Sequence, residues 1–169
     1  MIFNIADRYI GTRMKKGETL KTLENAQREL TRFVESTKLL IDGIDTQERI
    51  LPIVSRKTKF GEWFYTDGQK LKALSNNPLE CMSNIENLHE NLHKTYKEIF
   101  DIYYLNEKKG SLLSKILKPK QKILSESEYA YVNKKYSMME KTVQDLLDEI
   151  SRLKRRLTAV SEEKINSLL

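Results

Sequence analysis

From Leu20 onward, apolar residues return every third or fourth position: Leu20, Leu23, Leu30, Phe33, Val34, Leu40 and Ile41. That spacing marks one face of a helix, and Gly43 is a natural stop, because glycine takes the left-handed conformation after a helix end at little cost. Asp45 with Glu48 three residues on has the spacing of a capping box and predicts a second, shorter helix, which Pro52 bends or ends. Asn77-Pro78-Leu79-Glu80 is a helix start: Asn caps, Pro takes the first helical position where its missing N–H costs nothing, and Glu follows three after the cap. The helix it opens runs through Met82, Ile85, Leu88, Leu92, Tyr96, Ile99 and Tyr103.

The last stretch is the most regular. Ser125 and Glu128 form another capping-box pair. Val132, Tyr136, Met139, Val143, Leu146, Ile150, Leu153, Leu157 and Val160 then alternate four and three residues apart without a slip. This is the heptad of a coiled-coil seam. About forty residues at ~1.5 Å each make a rod of roughly 60 Å, longer than the preceding helix, so part of it is expected to overhang and to need a partner. Lys135, Glu149, Lys154 and Arg156 flank the seam with mixed charge, which suits either packing within the chain or a homodimer.

These patterns predict an all-α fold: an antiparallel, four-helix type of bundle from helices at about 19–42, 45–56 and 77–104, with a long coiled-coil-like C-terminal helix. The organisation they suggest is a bundle over 1–105, a linker over 106–124 and the heptad helix over 125–169. Residues 1–18 carry no clear period, and Lys15-Lys16-Gly17 reads as a boundary.

Composition narrows the class. The chain has 169 residues, enough for one ordinary domain, and is rich in charge and poor in Gly and Pro, which argues against disorder. A single cysteine, Cys81, excludes an internal disulfide framework and fits a reducing cytosol. Charge interrupts the apolar start at Asp7, and no apolar run approaches ~18–20 residues, so neither a signal peptide nor a transmembrane span is expected. The expected location is cytoplasmic.

The net charge of +6 is concentrated in one place. Residues 108–122 hold six lysines and no acid, and without them the chain is formally neutral. The plain reading of that stretch is a solvated linker. Leu112, Leu113, Ile116 and Leu117 among the lysines also suit peripheral contact with an anionic membrane or a protein partner. Nucleic acid is not expected, because arginines, stacking aromatics and any recognisable module are missing. No nucleophile–base pairing, phosphate loop or supported carboxylate pair appears either, so the chain reads as a non-enzyme.

The remaining candidate chemistry lies between the helices. Lys59-Phe60-Gly61-Glu62-Trp63-Phe64-Tyr65-Thr66-Asp67-Gly68 holds the chain's one Trp, and His89-Glu90-Asn91-Leu92-His93 holds both of its histidines. Histidines four apart on a helix point the same way and can reach one metal ion, but tetrahedral zinc then needs two ligands from elsewhere. The aromatic motif of Phe60, Gly61, Trp63, Tyr65 and Gly68 reads as core packing, with Gly61 letting its backbone approach a neighbouring helix while Trp63, Phe64 and Tyr65 fill the bundle.

Phe-Gly-x-Trp-Phe-Tyr-x-x-Gly followed by His-x-x-x-His resembles the chemoreceptor zinc-binding domain of bacterial chemoreceptors and diguanylate cyclases, over roughly residues 20–100. The resemblance implies a helical sensory domain acting through a signalling protein such as a receptor or cyclase. It also implies a zinc site completed by a Cys two residues before the motif's Phe and a His on the first long helix. Here Thr58 stands at the Cys position, and no histidine lies around Arg28 to Leu30. His89 and His93 are therefore the candidate metal ligands of a site lacking its other two. The expectation is a sensory or regulatory module without tightly bound zinc, in which the two histidines are hydrogen-bonded or solvent-facing. The alternative is an adaptor that dimerises through its C-terminal helix.

Overall fold

The computed structural model describes residues 15–44, 52–74, 78–104 and 123–168. They are mostly helical, with no strand among them: α1 Lys16–Ile41, α2 Lys59–Phe64, α3 Pro78–Tyr104, α4 Glu126–Ala159 and α5 Glu162–Asn166. Two 3₁₀ turns, Ser55–Lys57 and Asp67–Ala73, flank α2. The lysine-rich stretch 108–122, the N-terminal 14 residues and the predicted helix start at Asp45 lie outside the described residues.

The all-α expectation holds, and the direction of each passage follows from its cross-links. Gln27 Nε2 donates to Ser151 Oγ at 2.9 Å and Lys154 pairs with Glu24 at 3.3 Å, so α1 and α4 run antiparallel. Glu80 pairs with Arg152 at 3.8 Å and Glu98 with Lys135 at 2.6 Å, so α3 and α4 do too. α1 and α3 therefore point the same way, and residues 52–74 return between them. The bundle is up-down-up-down, with its second passage built from α2 and the two 3₁₀ turns in place of a continuous helix.

The helix expected over 45–56 is corrected where it can be seen: residues 52–54 are not helical and 55–57 make a single 3₁₀ turn. Pro52 and β-branched Ile53 and Val54 together oppose a helix there. Gly43 has φ +73°, as its place after α1 required.

α4 is the central element, packed against both α3 and α1. Ser125 caps it as anticipated: its backbone N–H donates to Glu128 Oε2 at 3.0 Å and its Oγ accepts from Glu128 N at 3.3 Å. Every seam residue from Val132 to Val160 is buried within the chain. The expected overhang is thus absent from the seam. The helix is also shorter than the heptad suggested, because it stops at Ala159. Ser161 then caps α5, accepting from Lys164 N at 3.3 Å, and α5 tucks Ile165 into the core. Lys16 Nζ fastens this corner by donating to the carbonyls of Thr158 at 2.8 Å and Val160 at 2.6 Å. These are carbonyls that a helix end leaves without partners of its own.

Candidate aromatic and histidine site

The candidate site lies where α2 meets the middle of α3, and it begins with a cap. Thr58 Oγ1 accepts from Gly61 N at 2.8 Å and donates to the Ser55 carbonyl at 2.8 Å, which ties the first turn of α2 to the 3₁₀ turn before it. That tie brings the two backbones so close that a Cβ on Gly61 would sit 2.0 Å from Ser55 O. The sequence rightly marked Gly61 as a close approach, but its neighbour is the preceding turn and not another helix.

From this anchor the aromatic residues diverge. Phe60 and Phe64 are buried, their ring centroids 5.5 Å apart. Trp63 and Tyr65 are only half-buried, so the expectation that all three aromatic residues fill the core is corrected for these two. Helical spacing explains it: 60 and 64 share a face, whereas 63 and 65 fall to either side. The Trp63 indole lies over Gly68, where a Cβ would meet Trp63 O at 3.2 Å and Cζ3 at 3.3 Å. Tyr65 points its hydroxyl to Glu90 Oε1 at 3.3 Å, and the Arg56 guanidinium lies 4.0 Å above its ring. Burial raises the Tyr65 pKa, and the Glu90 charge adds to it.

His89 and His93 stand on the α3 face that receives this cluster. They are 1% and 4% exposed, so neither faces solvent, which corrects that part of the expectation. Their rings meet edge to face at 4.8 Å. Phe60 packs edge-on to His89 at 5.1 Å, and Tyr65 stacks beside it at 6.5 Å. From the other side, Phe33 of α1 packs edge-on to His93 at 5.0 Å and to Tyr96 at 4.9 Å. Nδ1 of each histidine is buried without a hydrogen-bond partner. Burial, with the neighbouring His93, pushes the His89 pKa down to about 3. Burial also lowers that of His93, while hydrogen bonding to the backbone of Pro52 and Ile53 pulls the other way. Both imidazoles are neutral near pH 7.

Neutral imidazoles are competent ligands, and their open Nδ1 atoms invite the comparison with a zinc centre. The surroundings do not fit one. Thr58, at the position where the resemblance calls for a thiolate, has its hydroxyl engaged as both donor and acceptor in the cap. The α1 side chain packed against His93 is the hydrocarbon ring of Phe33. Among the described residues no group of three or more His, Cys, Asp or Glu is placed to hold a metal ion. Cys81 is buried toward α4, among Arg156, Arg152 and Glu149, and burial raises its pKa.

Sequence reasoning missed two members of this site, Thr58 as a cap and Phe33 as the partner of His93. The first was legible in Thr58's place just ahead of the Lys59–Phe64 turn; the second was hidden in the α1 apolar stripe. Among the described residues, no helix is long and apolar enough to cross a membrane. Set against protein-family models, curated proteins and solved structures, the chain finds no match.

Proposed function

We propose that the chain is a non-enzymatic sensory or regulatory module, built on the plan of the chemoreceptor zinc-binding domain, whose output passes through a partner protein such as a receptor or cyclase. The observation that supports this reading is the convergence of the motif's two halves. Phe60 and Tyr65 lie against His89, and Trp63 lies against Phe60 at 6.1 Å, so residues far apart in sequence form one cluster. A chance match of short motifs would not require them to meet.

The cluster joins three passages of the bundle: α1 through Phe33, the second passage through Phe60 and Tyr65, and α3 through the histidines. A shift in any of them is therefore felt by the other two, which is what a module that reports through helix packing needs. The dimerising-adaptor alternative would need an apolar stripe on α4 other than the seam already covered inside the chain.

The test is functional. The purified chain is added to a diguanylate cyclase and, separately, to a receptor-coupled kinase from the same cell, and product formation is followed. A dose-dependent change in either rate supports the module. Unchanged rates, together with no complex between the chain and either component, would end this reading.

A further inference from the structure

The histidine pair has a role of its own, whichever partner the chain serves. Three elements converge on it, and each ring that touches it does so through carbon: Phe33 from α1, Phe60 from α2, and Tyr65 from the turn after α2. The edge-to-face geometry of Phe33, Phe60 and the two imidazoles is the one aromatic rings prefer. The hydroxyl at Thr58 is spent on the cap of α2. A tetrahedral zinc ion would need four donors at about 2.0–2.3 Å, and a core packed in this way has ring edges where those donors should stand.

We infer that His89 and His93 form an aromatic packing joint in place of a metal centre. They fasten α2 and α1 to α3 by ring contact, and the joint holds one arrangement whether or not zinc is present. This deepens the reading proposed above by removing zinc from the list of its signals. The unpartnered Nδ1 atoms make the inference testable from the opposite direction as well. A buried polar atom without a partner costs free energy, whereas an apolar group of similar shape does not. Replacing the His89 imidazole by a hydrocarbon ring should therefore be tolerated, an outcome no metal ligand would permit. At His93 the same change gives up the hydrogen bonding to the Pro52 and Ile53 backbone and should cost stability.

The experiment uses the full chain and its single variants His89→Phe and His93→Phe. Melting temperature at neutral pH is measured in chelator and in excess zinc, and bound zinc is measured by elemental analysis after dialysis. The joint predicts no stoichiometric zinc and the same melting temperature of the wild-type chain in both buffers. It also predicts that His89→Phe melts at or above the wild-type temperature in both. His93→Phe should melt lower by the same amount in both, because what it loses is a hydrogen bond to the Pro52 and Ile53 backbone and not a metal ion. Zinc retained at one ion per chain, with a melting temperature raised by zinc in the wild type and not in the variants, overturns the inference. The wild-type comparison decides the metal question even if a phenylalanine proves too large to fold. His89→Leu then tests packing: a loss as large as that of truncating a buried leucine would overturn the joint. A zinc response would leave the cyclase and kinase assays untouched, so the two readings fail separately.

Discussion

At the scale of single residues, two positions carry the candidate site: the glycine that permits its close approach and the histidine that fills it. A side chain on Gly61 would overlap the Ser55 carbonyl, a backbone atom that cannot swing aside. Gly61→Ala should cost about 1–3 kcal/mol of stability through forced displacement, measured by denaturant unfolding. Gly17→Ala, where nothing lies within 4 Å, should be neutral or slightly stabilising. Equal effects at the two sites would contradict the packing described around α2. His89 gives a pH signature. Its folded-state pKa of about 3 lies below the ordinary value of 6.5, so acid favours the unfolded chain, which takes up the proton more readily. The resulting stability is complete above about pH 6.5 and is lost as pH falls toward 3, a loss of about 2 kcal/mol already by pH 5. His89→Phe should flatten that part of the stability–pH curve, and a curve of unchanged slope would show that His89 is not buried as a neutral ring. The motif residues were recognisable in the sequence because their types are rare in this chain. Their surroundings were not, since which ring meets His93 depends on the packing of α1 against α3 and has no short-range signal.

At the scale of elements, legibility tracked the strength of local chemistry. α3 begins at Pro78 and α4 at Glu126 because Pro at the first position and Ser125 with Glu128 leave little choice. The second passage was misread where it can be seen. The helix expected to reach residue 56 gives way over 52–57 to non-helical backbone and a 3₁₀ turn, because Pro52, Ile53 and Val54 oppose a helix and the Thr58 cap starts a new one at Lys59. The end of α4 was also missed: the heptad continues through Val160, and its regularity masked the Ser161 cap. The seam itself supports a prediction of magnitude. Leu146→Ala, at a fully buried position, should cost about 2–5 kcal/mol. Met138→Ala, on the outward face at 49% exposure, should stay within about 0.5 kcal/mol. Comparable losses at both would mean that the outward face of α4 is covered in solution.

At the scale of the molecule, the question is whether α4 completes its own bundle or seeks a second copy. A heptad repeat is indifferent to this, since the same stripe can bury against helices of its own chain or of another. The decision lies with what else is available, and here α1 and α3 flank α4 along its length. Ion pairs tie it to both, Lys154 with Glu24 on one side and Lys135 with Glu98 on the other. These partly exposed pairs add little energy, each worth roughly 0–1 kcal/mol, but they fix the antiparallel register in which the seam finds its partners. A stripe satisfied within the chain makes stability a property of the monomer. A stripe satisfied between chains would make it depend on concentration by mass action. The melting temperature of the full chain should therefore stay constant over a hundredfold dilution, with a monomer mass by light scattering throughout. Leu146→Ala should lower that temperature equally at every concentration. A melting temperature that climbs with concentration, together with a dimer mass, would return α4 to the role of an intermolecular zipper and reopen the adaptor reading.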